Sequence, residues 1–134
     1  MEPKTKPEIR VVAAVIERDG KYLITQRSPR ARMPLLWEFP GGRVEGDEAD
    51  AVALARELAE EMAVAVHIGD ELLAVVKEYE HYVIDFHVYL CTLLTEEIRK
   101  IKVHDYRWVT SEELEDYPFP AADQETVETL LKEG

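Results

Sequence analysis

Apolar and polar positions follow several distinct rhythms along this chain, and each rhythm predicts an element. Residues 9–17, IRVVAAVIE, are an almost unbroken apolar run rich in β-branched side chains, which predicts a buried strand. Asp-Gly at the centre of RDGK predicts a turn, and YLITQR, residues 22–27, the returning strand. SPRARMPLL, with two prolines and two arginines, reads as a loop, and WEFPGG as a short extended segment closed by glycines. From about Asp47 to Ala63 the apolar period lengthens: Ala51, Leu54, Ala55, Leu58 and Met62 recur at helical spacing, with Asp47 or Asp50 placed to cap the start. ELLAVVKEYE and YVIDFHVYLCTLL predict a pair of long strands, and YRWVT a further short one. Thr110 and Glu113 stand at the spacing of a capping box. Residues 123–134 predict a last helix with Val127, Leu130 and Leu131 turned inward. This order predicts an α/β (α+β) chain, a mixed β-sheet with flanking helices. No linker or repeat divides residues 1–134, so one domain is expected, with residues 1–8 as a flexible N-terminal arm.

Composition sharpens this picture. Hydrophobic residues make up 46% of the 134, enough for a substantial core. The formal net charge of −12 argues against a nucleic-acid polymer as partner, since a phosphate backbone calls for basic surface. It leaves room for a small polyanion bound through a cation. No apolar run approaches the roughly 20 residues of a membrane span, so no membrane partner is expected. The polar start, MEPKTKPE, lacks a signal core, and the lone Cys91 lies in an apolar run; together they lead to an expected cytoplasmic location. His67, His81, His87 and His104 lack zinc-ligand spacing and read as ordinary strand or loop residues.

The candidate chemistry lies on the central helix. With Leu54, Leu58 and Met62 as the buried stripe, Glu57, Glu60 and Glu61 gather along one edge. Like charges one turn apart repel, and Arg56, four residues before Glu60, supplies one local pair. Two readings follow: a solvated acidic face, or a site for a hard divalent cation, Mg²⁺ with Mn²⁺ as a substitute, whose charge offsets the repulsion. The glycines of FPGG favour the second, because they permit close backbone approach and free carbonyls as added ligands.

Gly42, Glu48, Arg56-Glu57, Leu58, Glu60-Glu61 and Val64 stand at fixed intervals that together resemble the signature of the Nudix hydrolases. Ala63 departs from it, occupying a position where that family has glycine. LITQR, WEFPGG, RWVT and YPFPAADQETV extend the likeness to the MutT-like branch over most of the chain. The resemblance implies an α/β/α sandwich. It also implies Mg²⁺-dependent hydrolysis of a nucleoside triphosphate to a monophosphate and pyrophosphate, with oxidised dGTP or a related dNTP as first expectation and pool sanitation as the cellular context. The alternatives are a CTP or dCTP derivative, then a nucleotide sugar or similar diphosphate. A catalytically silent nucleotide-binding module is the non-enzymatic alternative. A monomer or a homodimer fits equally.

Carried over position by position, Glu57, Glu60, Glu61 and the Gly41 carbonyl would hold metal. Glu57 or Glu60 would accept the proton of water. Arg56 would orient a glutamate, and Gly42 and Glu48 would be structural. Where some MutT-like enzymes add an acidic ligand this chain has Lys102, with Glu97, His104 or Asp105 as possible substitutes. For the substrate, Arg27 would meet a phosphate or purine edge, or else be a surface arginine; Arg30 and Arg32 would draw in polyphosphate or be solvated. Phe39 would line the base pocket or pack in the core, and Tyr79 and Tyr82 would stack a base or form the rim. Asp123 falls where MutT-like enzymes place a base-reading asparagine, and would accept from a nucleobase, cap the last helix, or both.

Overall fold

The computed structural model describes residues 6–133. The strands are β1 (Glu8–Arg18), β2 (Lys21–Gln26), β3 (Trp37–Glu38), β4 (Gly41–Arg43), β5 (Val66–Glu78), β6 (Val83–Leu93) and β7 (Asp105–Val109); the helices are α1 (Asp50–Met62) and α2 (Gln124–Glu133). They form one mixed sheet in the order β3-β2-β1-β6-β5, with β4 added to β1 and β7 to β2.

The sequence places β1 at the centre because it has no polar face to expose. Val12, Ala14 and Ile16 pack with Leu54, Leu58 and Met62 of α1, while Ala13 and Val15 pack on the other face with Phe39, Phe86, Leu114, Val127 and Leu130. A strand covered on both faces carries a continuous apolar run rather than an alternation. The two cores, with α1 on one face and α2 with a 3₁₀ turn (Glu112–Asp116) on the other, make the three-layered α/β/α sandwich.

One edge of β1 pairs in parallel with β6 over Glu8–Ile16. Its other edge is shared. Val11–Ala13 pair with β4, whereas only Glu17 and Arg18 pair with β2. The strands therefore part near the middle of β1, and the candidate site opens at this split. Asp19 and Gly20, both at positive φ, make the tight β1–β2 turn that Asp-Gly predicted.

Two local expectations are changed. First, neither Asp47 nor Asp50 caps α1; the cap position is Ala49, with no side-chain bond. Arg10 grips both oxygens of Asp50 at 2.7 Å, and the Tyr89 hydroxyl donates to it, so its carboxylate ties the helix to the sheet and is held down at about 2. Second, the expected arm at residues 1–8 is tied down over its described part. Lys6 reaches Glu78 at 2.8 Å and the Tyr79 carbonyl, and Glu8 opens β1; residues 1–5 lie outside the described residues. Ala63 keeps the left-handed exit of α1 that glycine would take, at φ 57°, with its N–H on the Ala59 carbonyl. The strain costs roughly 1 kcal/mol, and the exit geometry survives. The capping box is present as expected, Thr110 and Glu113 each accepting from the other's backbone N–H.

Candidate active site

Two glycines pack β4 closely, Gly41 against β1 and Gly42 against α1. A Cβ on Gly41 would stand 2.0 Å from the Val12 carbonyl oxygen, and one on Gly42 would stand 2.3 Å from the Glu57 carboxyl carbon. Gly42 is thus the floor on which Glu57 rests, and no other residue type leaves that space. We predict that Gly42→Ala displaces the Glu57 carboxylate and lowers turnover about 10²-fold with a cooperative melt retained. Steady-state pyrophosphate release beside a thermal melt would show this, and unchanged turnover would contradict it.

Arg56 organises the carboxylates more widely than a single i, i+4 pair. Its guanidinium takes both oxygens of Glu48 at 2.8 Å, reaches Glu57 at 3.0 Å and Glu60 at 3.4 Å, and donates to the Arg43 carbonyl at 3.0 Å. Glu48 also accepts from the Glu45 backbone N–H. These bonds hold the Glu48 carboxyl at about 2, with Arg56 the main cause. Glu48 is thereby fully engaged by the protein itself.

Glu61 lies deeper. Its Oε2 is buried and has no hydrogen-bond partner. Burial, reinforced by Glu38, Glu57 and Glu60, pushes its carboxyl up to about 9, against a smaller opposing pull from Lys102. Glu38 is a member of this site that sequence reasoning missed. It is half-buried, paired with Arg27 at 3.1 Å, and its carboxyl is raised by desolvation first and foremost. A two-residue strand gives no alternation from which its inward direction can be read. The pair also changes the picture of Arg27, whose guanidinium is turned to Glu38 and the Arg32 carbonyl.

These groups face a cavity of about 890 Å³. Gly41, Gly42, Glu57, Glu61 and Lys102 line it, as do Arg27, Phe39, Tyr79 and Asp123. All four expected substrate residues are therefore brought into one space with the acidic edge of α1. Arg32 and Tyr82 also line it; Arg30, Glu97, His104 and Asp105 do not. Glu60 and Arg56 stand behind the lining. Tyr79 and Tyr82 stack at 5.0 Å across the β5–β6 turn. Phe39 is a core residue as well as a wall, 2% exposed and stacked on Phe119. Asp123 is not turned to the helix start: it accepts from the Phe39 backbone N–H, and burial, with the charge of Glu38, raises its carboxyl well above the usual range. Burial thus favours the protonated carboxyl, which, unlike an ionised one, can donate as well as accept.

Among the described residues no three His, Cys, Asp or Glu side chains converge as a ready-made cation cage. Arg56 bridges Glu57 and Glu60. The donor set nevertheless fits a hard divalent cation: oxygen ligands only, an unpartnered buried carboxylate oxygen at Glu61, and a glycine floor that keeps side chains out of the space beside Glu57.

A NUDIX domain family model matches residues 11–129. The chain is 35% identical over 126 residues to the CTP pyrophosphohydrolase of Escherichia coli K12, covering 92% of this chain and 91% of that one. It is 33% identical over 129 residues to the putative 8-oxo-dGTP diphosphatase 2 of Mycobacterium tuberculosis, covering 91% and 87%. The crystal structure of the MutT protein of Methanosarcina mazei superposes with a TM-score of 0.84 at 27% identity, covering 98% of both chains.

Proposed function

Because the chain belongs to the NUDIX family of nucleotide hydrolases, we propose that it cleaves a nucleoside triphosphate to a monophosphate and pyrophosphate with the help of Mg²⁺. The observation that supports this most is the single cavity that joins the acidic edge of α1 to the buried carboxyl of Asp123. One end suits a cation and polyphosphate, and the other suits a polar nucleobase edge.

Glu57, Glu60 and Glu61, with the Gly41 carbonyl, would hold the cation. Bound there, it would neutralise polyphosphate charge and acidify water for attack at phosphorus. Glu57 is the residue to take the proton of that water: it lines the cavity, and its partners Arg56 and Gly42 fix its direction. Arg56 holds Glu57 and Glu60 in place. Arg32 and Arg27 lie along the wall between the two ends; Arg27 is neutralised by Glu38 and serves orientation more than attraction. Tyr79 and Phe39 supply aromatic surface for the base.

In the protonated form that burial favours, Asp123 presents a donor and an acceptor side by side, and two nucleobase edges answer it. Oxidised guanine offers a carbonyl beside an N–H, which supports 8-oxo-dGTP as the first reading. Cytosine offers an amino group beside a ring nitrogen, and the 35% identity to a CTP pyrophosphohydrolase favours CTP or a dCTP derivative as the second. Turnover of oxidised and ordinary nucleotides, with and without EDTA, distinguishes these readings. One substrate is expected to exceed the others by about tenfold or more, with activity lost in EDTA. We further predict that Asp123→Ala flattens this preference about tenfold while Asp123→Asn largely retains it, turnover number changing less than selectivity. Unchanged selectivity in Asp123→Ala, or no pyrophosphate from any nucleotide, would refute these assignments.

A further inference from the structure

A lysine lies where the site is otherwise acidic. The loop after β6 closes the end of α1: the backbone N–H groups of Ile101 and Lys102 donate to the Glu61 carbonyl at 3.1 and 3.0 Å, and that of Arg99 to the Met62 carbonyl at 3.0 Å. The Lys102 backbone is thereby fixed to the last turn of the helix that carries the glutamates. Its side chain lines the same cavity as Glu57 and Glu61. It acts on the Glu61 charge, yet it makes no hydrogen bond or ion pair among the described residues. Arg27, by contrast, is already neutralised by Glu38. Lys102 is thus a positive group held by its backbone at the acidic end, with its own hydrogen-bonding capacity unspent, in the same cavity as Glu61, whose buried carboxylate oxygen also has no partner.

We propose that Lys102 is a polyphosphate-binding residue whose charge, beside Glu61, also weakens cation binding by the free protein. In the empty cavity the ammonium repels a divalent ion from Glu61. With substrate present it is free to bond a phosphate oxygen, and the bound polyphosphate brings the charge that offsets the repulsion. Substrate and cation would accordingly favour each other's binding. The proposal rests on the metal-dependent reading above.

Calorimetric titration tests it on the whole protein, with Mn²⁺ alone as one probe and inorganic tripolyphosphate, as its Mg²⁺ complex, as the other. Lys102→Ala is expected to bind Mn²⁺ about three- to tenfold more tightly and Mg²⁺-tripolyphosphate about tenfold more weakly, while Lys102→Arg stays near wild type in both. The opposite signs separate this role from loop damage, which would weaken both probes together. A parallel loss, or a Lys102→Ala variant indistinguishable from wild type, would overturn the proposal. A wild-type protein that takes up no Mn²⁺, with or without tripolyphosphate, would instead overturn the cation reading on which it rests.

Discussion

Glu57→Gln is expected to lower the rate of pyrophosphate release by about 10³-fold or more while leaving the chain folded. The substitution keeps the shape of the side chain, so the space over Gly42 stays filled. It removes the charge that Arg56 meets at 3.0 Å, but Arg56 retains its two bonds to Glu48 at 2.8 Å and its bond to the Arg43 carbonyl. The framework therefore survives, and the melting temperature should move by only a few degrees. What is lost is a negative oxygen facing the cavity, able to hold a cation and to accept a proton. A neutral amide does both poorly, and Glu48 cannot replace it, since Arg56 takes both its oxygens. Stopped or continuous pyrophosphate detection with saturating nucleotide measures the effect. A rate within about tenfold of wild type would remove Glu57 from the reaction.

The second large effect is on stability, and it comes from Glu61. Without a divalent cation its carboxyl titrates at about 9, well above the usual carboxylate range, because it is buried among other acids. The unfolded chain releases this proton above about pH 4.5, whereas the folded chain holds it until about pH 9. The folded state thus binds more protons across this interval, and its stability falls as pH rises through it. Below pH 4.5 both states are protonated and the group is neutral in effect. Glu38 and Asp123, also raised by burial, act in the same direction, but they are shared by any Glu61 variant.

Glu61→Gln removes the Glu61 part alone. In EDTA the variant is expected to melt on the order of 5 °C or more above wild type at pH 8.5, with the difference vanishing towards pH 4.5. Millimolar Mg²⁺ or Mn²⁺ should raise the wild-type melting temperature most at high pH and leave the variant nearly unmoved, since an ion binding only the folded state stabilises it. Melting curves by circular dichroism over that pH range decide the matter. Parallel wild-type and Glu61→Gln curves in EDTA would contradict the assignment of a strained, cation-seeking carboxylate.

Much of this arrangement is legible in the sequence because it is written at short range. The continuous apolar run of β1, the Asp-Gly turn, the stripe of Leu54, Leu58 and Met62, and the spacing of Glu57, Glu60 and Glu61 follow from local periodicity. What the sequence hides is set by distant partners. Asp50 has the look of a helix cap, but Arg10 and Tyr89 on two other strands claim its oxygens. Helical spacing shows only the pair of Arg56 with Glu60, since Glu48 comes within reach only when β4 and its following loop fold over α1. Glu38 shows its burial only when β3 is laid on β2, at the register Thr25–Glu38. Nothing in the residues around Asp123 foretells that Phe39, 84 positions earlier, donates to it. The parallel pairing of β1 with β6 is likewise long-range, and with it the split in the sheet that opens the cavity.

The central claim is tested most directly by growing crystals with Mn²⁺ and a non-hydrolysable nucleoside triphosphate and measuring anomalous scattering. The account predicts an Mn²⁺ peak within about 2–2.5 Å of oxygens from Glu57, Glu60 or Glu61 and the Gly41 carbonyl, with the nucleotide phosphates on its far side and the base against Asp123. A bound nucleotide in this cavity with Arg56 still holding the glutamates and no manganese beside them would contradict it.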